Sequence, residues 1–139
     1  MTRVSVEVPA ELVGPIRETV LLLYQATAES LHLALKARAT GEDAVEEVHR
    51  HRARLDALDE LVLRLEPERG GVRLSAPRDL LHDTLYGALI DAGERLAESS
   101  NRSWRGELSL DRVRECAGEV LAIDALLRGL DSGSVPEGD

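Results

Sequence analysis

Val4-Ser-Val-Glu-Val-Pro-Ala-Glu-Leu12 alternates apolar and polar residues up to a proline and then turns helical, and the same order returns in Val72-Arg-Leu-Ser-Ala-Pro-Arg-Asp-Leu80. In the first stretch Val4, Val6 and Val8 stand against Arg3, Ser5 and Glu7; in the second, Val72 and Leu74 stand against Arg73 and Ser75. Period-two alternation predicts a half-buried strand. Pro9 and Pro77 follow, suited to a first helical turn where a missing N–H costs nothing, and Glu11 and Asp79 are placed to favour the positive helix N-terminus. A long helix is predicted to begin at each proline.

Working outward, a shift of 68 positions, the offset between Pro9 and Pro77, also aligns Val4 with Val72, Leu12 with Leu80, Asp43 with Asp111, Val45 with Val113, Glu47 with Glu115, and Asp56-Ala57-Leu58 with Asp124-Ala125-Leu126. Charge repeats too: residues 1–70 carry 9 basic and 13 acidic side chains, residues 71–139 carry 8 and 13. An internal duplication is expected, with repeats over about 3–66 and 71–130 in a single helical domain, residues 1–130. The first helix is predicted over Ala10–Ala39, with Gly14-Pro15 an irregularity in its first turns and Thr40-Gly41 its stop. The second is predicted over 42–66, the third over 77–100 and the fourth over 110–130, with a linker at Pro67–Gly71 and a polar loop containing Asn101, Trp104 and Gly106. Residues 131–139 lack apolar periodicity and are expected to be a disordered tail.

Composition agrees with this pattern. Of 139 residues 43% are hydrophobic but only 2% aromatic, with no Phe, so the core must be built from Leu, Val, Ile and Ala. The expectation is an all-α four-helix bundle made of two strand-helix-helix halves, with a minor two-stranded antiparallel ribbon formed by residues 3–8 and 72–75. A net charge of -9, from 17 basic and 26 acidic residues, disfavours nucleic acid, because Lys and Arg on phosphates supply most non-specific affinity. Cys116 is the single cysteine and cannot form an intramolecular disulfide, which fits a reducing cytoplasm. The opening residues form no basic and then apolar leader, and the longest strongly apolar run, Val20–Tyr24, is far short of the roughly 20 residues that span a bilayer, so no membrane insertion is expected.

Helical phase then sorts the side chains. On helix one, Leu12, Val13, Ile16, Val20, Leu23, Thr27, Leu31 and Ala34 share the core face. Thr19, Leu22, Ala26, Leu33 and Ala37 form a second apolar stripe. Helix three repeats this with Leu81, Leu85, Ala88, Leu89, Ala92 and Leu96 on one face and Tyr86, Ile90, Gly93 and Ala97 on another. Either these helices are the central pair of the bundle, or their second faces, represented by Leu22, Leu33 and Ile90, bury against another subunit; a homodimer is favoured. Helices two and four carry narrower stripes: Val45, Val48, Leu55, Leu58, Val62 and Leu65, and Val113, Cys116, Val120, Ile123, Leu127 and Leu130.

Candidate chemistry is sparse. Glu29 to His32 and Glu46 to His49 have the spacing of di-metal carboxylate bundles, but the first pair lies on the polar strip of its helix and solvated faces are the better reading. His51 sits on an apolar stripe, as a boundary histidine or a buried ligand. His49-Arg50-His51-Arg52-Ala53-Arg54 is the only basic cluster; Glu46, Glu47, Asp56, Asp59 and Glu60 lie at pairing distance on the same helix, so a salt-bridged face is expected rather than an anion site. Cys116 reads as a packed thiol. No Ser, His or Asp stands in a recognised nucleophile context, and no cofactor motif is present. Trp104 either caps the bundle end or anchors a partner.

Two family resemblances follow. Val4–Leu12 resembles the strand and first helix of ribbon-helix-helix DNA-binding proteins, but the predicted helices are about twice too long and Glu7 would project from the ribbon face that reads the major groove in that family, so DNA recognition is rejected. From helix one through helix three the chain is similar to the PhoU family of phosphate-transport regulators: Val48, Leu55 and Asp56-Ala-Leu58 look like the end of that family's second helix, and Asp79-Leu80 with Glu94-Arg95-Leu96-Ala97-Glu98 like its third. The resemblance implies acidic-x-x-x-acidic metal motifs. Arg52 stands four residues before Asp56 and Val120 four before Asp124, so only Glu94 with Glu98 keeps an acidic pair. The leading expectation is a non-enzymatic regulatory or interaction protein without a cofactor; the alternative is a metal-binding regulator or di-metal enzyme using Glu94, Glu98 and His51.

Overall fold

The computed structural model describes residues 3–66 and 70–131. The elements run β1 (Arg3–Val8), α1 (Ala10–Ala39), α2 (Val45–Arg64), β2 (Val72–Pro77), α3 (Arg78–Trp104) and α4 (Leu110–Asp131). The chain is thus mostly helical, with one small antiparallel sheet. In that sheet Val4 lies opposite Ala76, Val6 opposite Leu74 and Val8 opposite Val72, while Ser5 faces Ser75 and Glu7 faces Arg73. Val4, Val8, Leu74 and Ala76 are buried, as the alternation requires. On the other face the Arg73 guanidinium donates to Ser5 Oγ at 2.9 Å and Arg3 donates to the Ser75 carbonyl at 3.1 Å.

α1 packs along α2, α3 along α4, and α1 also meets α3. β1 touches α4 and β2 touches α2, so each strand lies against the last helix of the opposite half of the chain. One core results, running from Val4, Val8 and Leu74 through Leu12, Ile16 and Val20 of α1 to Leu58, Leu61 and Leu65, Leu81 and Leu85, and Ile123 and Leu130. The expected core stripe of α1 is buried or half-buried throughout. Where α1 and α3 meet, a Cβ on Gly87 would stand 2.9 Å from Thr19 Cγ2, so the two backbones approach as closely as they do because Gly87 has no side chain.

Both long helices end by the same device. After α1, Glu42 N–H donates to Ala37 O and Gly41 N–H to Arg38 O; after α3, Glu107 N–H donates to Arg102 O and Gly106 N–H to Ser103 O. These paired bonds are the Schellman closure, which needs a left-handed residue at the glycine. Gly41 and Gly106 supply it with φ of 93° and 78°.

Several expectations are corrected. β2 extends to Pro77, beyond the predicted 72–75, because Pro77 lies opposite Arg3 in the ladder and serves as the N-cap of α3. α3 continues four residues past Ser100, so Asn101 and Trp104 are helical and only Gly106 belongs to the loop. α1 runs through Gly14-Pro15 without a break, with Thr19 Oγ1 donating to the Pro15 carbonyl at 3.3 Å. α2 begins at Val45 instead of residue 42, and Val45 itself is exposed while Ala44 and Leu61 are buried. Asp131 closes α4, and its carbonyl and that of Leu130 accept from Arg78. The remainder of the expected tail, 132–139, and residues 67–69 of the linker lie outside the described residues.

The Thr19–Gly87 approach yields a double-mutant test. Gly87→Ala gains roughly 1 kcal/mol in helix propensity but forces a methyl–methyl overlap costing about 1–3 kcal/mol. Urea denaturation is expected to find Gly87→Ala destabilised or neutral in wild-type background but stabilised by roughly 1 kcal/mol beside Thr19→Ser, which removes Cγ2 and keeps the hydroxyl. Equal effects in both backgrounds would contradict the close approach.

Candidate functional site

The second apolar stripe of α1 divides at the α3 contact. Thr19 is buried there, whereas Leu22 is 59% and Leu33 64% exposed. On α3, Ile90 is 45% exposed, Tyr86 is also exposed, and Ala97 and the 90% exposed Trp104 follow Ile90 at intervals of seven residues, along one line of the helix. α1 and α3 do pack on each other, through Thr19 and Gly87, and the interface candidates Leu22, Leu33 and Ile90 remain uncovered by the chain's own core. Leu22 and Ile90 each lie three residues beyond the contact pair, about one turn, so they flank the crossing. Beside Tyr86, His82 stacks in parallel with ring centroids 6.0 Å apart.

The metal candidates do not assemble. Glu94 and Glu98 lie on an exposed stretch of α3, and His51 is half-buried on α2 against α1 and the start of α3. Among the described residues no three His, Cys, Asp or Glu side chains are grouped to hold an ion, so the alternative ligand set Glu94, Glu98 and His51 is not brought together. Helical phase explains this, because an acidic i, i+4 pair on a solvated face has no second helix opposite it. Glu29, His32, Glu46 and His49 are all exposed. Cys116 is buried and free.

The basic run behaves differently from expectation. Among the described residues neither Arg50 nor Arg52 makes an ion pair, and Arg54 reaches across to α3, where its guanidinium donates to Asp83 Oδ2 at 3.0 Å. A solvated pair along one helix contributes only about 0.3–0.5 kcal/mol, so a carboxylate offered by a packed neighbour competes easily. Beside this run lies a cleft of about 530 Å³. α1 contributes Leu23, Ala26, Thr27 and Ser30; α2 contributes Arg50, His51, Ala53, Arg54 and Ala57; Pro77, Asp79 and Leu80 close it at the start of α3. Sequence reasoning missed the cleft because its walls come from three segments; the one signal pointing to it was His51 on an apolar stripe. In the second half of the chain, Arg95 of α3 and Glu119 of α4 form a partly buried ion pair.

Among the described residues no helix is long and apolar enough to cross a membrane. No family model, curated protein or solved structure matches the chain.

The exposed acidic pair supports a simple expectation. Adding zinc or manganese ions should leave the thermal midpoint of the wild-type protein and of Glu94→Gln/Glu98→Gln the same within error. A midpoint rise confined to the wild type would restore the acidic pair as a metal site.

Proposed function

We propose that this chain is a non-enzymatic, cytoplasmic regulatory or interaction protein that works as a homodimer through the surface flanking the α1–α3 crossing, with Leu22, Leu33 and Ile90 in the interface. The observation that carries the reading is the exposure of these large aliphatic side chains on helices whose opposite faces already fill the core. Large contiguous apolar surface is uncommon on a monomer and marks an interaction face.

A duplicated architecture supports a second copy as the partner. The ladder sets Val6 against Leu74, and these positions differ by 68, the same offset that aligns the two halves of the sequence. Thr19 and Gly87, which touch, also differ by 68, and so do Leu22 and Ile90. Equivalent residues meeting one another is the mark of an approximate two-fold axis, here running from the centre of the ribbon to the α1–α3 crossing. In this proposal two strand-helix-helix repeats build one four-helix bundle. A surface that straddles such an axis presents matching aliphatic groups on both sides, which suits the isologous contact of a two-fold dimer. Kinship with PhoU-like regulators belongs to the same proposal, supported by the similarity from helix one to helix three. The unpaired thiol Cys116 supports the reducing compartment.

Sedimentation velocity tests the dimer. The wild-type chain should sediment as a dimer at micromolar concentration, and Leu22→Glu/Ile90→Glu should sediment as a monomer with unchanged helical circular dichroism. Leu33→Glu should weaken association at least tenfold, the loss of about 1.4 kcal/mol or more expected on burying an unpaired carboxylate. A wild-type monomer at high micromolar concentration would overturn the proposal.

A further inference from the structure

The cleft between α1, α2 and the start of α3 borders the stripe of the proposed dimer only at Ala26, and none of Leu22, Leu33 and Ile90 lines it. We infer that it binds a small amphipathic carboxylate, with the apolar body among Leu23, Ala26 and Ala57 and the carboxylate on Arg50. The space, about 530 Å³, lies within the range of small-molecule sites. Its walls are chiefly aliphatic, which favours an apolar body over a bare anion.

Charge decides where the anion goes. Arg54 is engaged with Asp83 on α3. Asp79 lines the cleft in the first turn of α3, where the helix N-terminus favours a carboxylate already supplied by the protein. A ligand anion is therefore repelled at the α3 end and drawn to the α2 wall. There Arg50 makes no ion pair among the described residues, and its planar guanidinium can hold a carboxylate through two parallel N–H donors. The half-buried His51 beside it adds ring nitrogen for a further hydrogen bond.

The other half of the chain shows what this arrangement looks like when it is filled. The 68-residue offset sets Thr27 against Arg95 and His51 against Glu119. Arg95 and Glu119 form a side-chain ion pair between α3 and α4. In the first half, the short Thr27 and the half-buried His51 stand at those positions and line open space. A carboxylate and an aliphatic stem, both supplied by the chain in the second half, are what a bound amphipathic acid would supply in the first.

The test is an NMR titration of the full chain with octanoate, using octan-1-ol and octylamine as probes of equal length without the anion. Octanoate should move the amides of Thr27, Ser30, Ala53 and Leu80, with octan-1-ol at least about tenfold weaker and octylamine weaker still. Arg50→Gln should lose about tenfold in octanoate affinity while Arg52→Gln, on the same basic run but outside the cleft, keeps it. Ala26→Trp should abolish binding by filling the cleft, with circular dichroism confirming that the variant is folded. Equal affinity for the alcohol, full affinity in Arg50→Gln, or shifts mapping to Leu22 and Ile90 would each overturn the assignment, as would no binding by octanoate.

Discussion

The pairing of β1 with β2 is the constraint on which the rest of the chain depends. Two strands alone are marginal in water, since a hairpin-sized ladder leaves an apolar face without cover. Here the strands are separated in sequence by α1 and α2, and their pairing brings the two halves of the chain together. Val4, Val8, Leu74 and Ala76 become core only because helices from both halves close over them. A one-residue slip would turn Val4 and Val8 to solvent and bring Arg3, Ser5 and Glu7 inward, so the register is fixed by burial. With the ribbon set, Pro9 and Pro77 launch α1 and α3 from its opposite ends, and the close passage at Thr19 and Gly87 follows.

Most of this architecture was legible because it is local. The alternation of Val4–Val8, the two prolines and the 3.6-residue periodicity of α1 each carry their own signal, and the Ala10–Ala39 limits follow from Pro9 and the Gly41 stop. Where the reading erred, a long-range partner outweighed a local cue. Pro77 joined the strand because Arg3 lies opposite it, and α3 ran on to Trp104 because a Schellman closure waits at Gly106 and outweighs the polar Asn101 and Ser103. Along α2 and its two capping residues the buried positions pass from Ala44 and Val48 to Leu58, Leu61 and Leu65. A contact line that drifts around a helix in this way reflects packing on a neighbour, and a fixed stripe drawn from the sequence must leave it at one end.

The candidate surfaces divide along the same lines. Leu22, Leu33 and Ile90 were identifiable because excess apolar area on one helix is a sequence property. What the sequence left open was which part of the second stripe α3 covers, and the absence of a side chain at Gly87 lets α3 close over Thr19. The Arg54–Asp83 pair was invisible for the opposite reason: periodicity offers i, i+3 and i, i+4 partners, and this one is 29 residues away on another helix. The cleft required three separate segments to meet before any of its residues had a wall to belong to.

The asymmetry between the halves carries a consequence for how such a chain could acquire function. In two halves of a chain that share the order strand, helix, helix, the cheapest way to close the space between a long helix and its partner is with the chain's own side chains. The Arg95–Glu119 pair does this, the Arg stem covering apolar surface while its charge meets a partly buried carboxylate. Thr27 and His51 are too short or too stiff to do the same, and open space remains beside them, with the Arg54–Asp83 pair linking α2 to α3 at its edge. A packing deficit that a single longer side chain could remove, flanked by Arg50 with no ion pair among the described residues, is a local rule broken without a compensating contact there. In the proposed complex that contact comes from the bound acid and not from the chain.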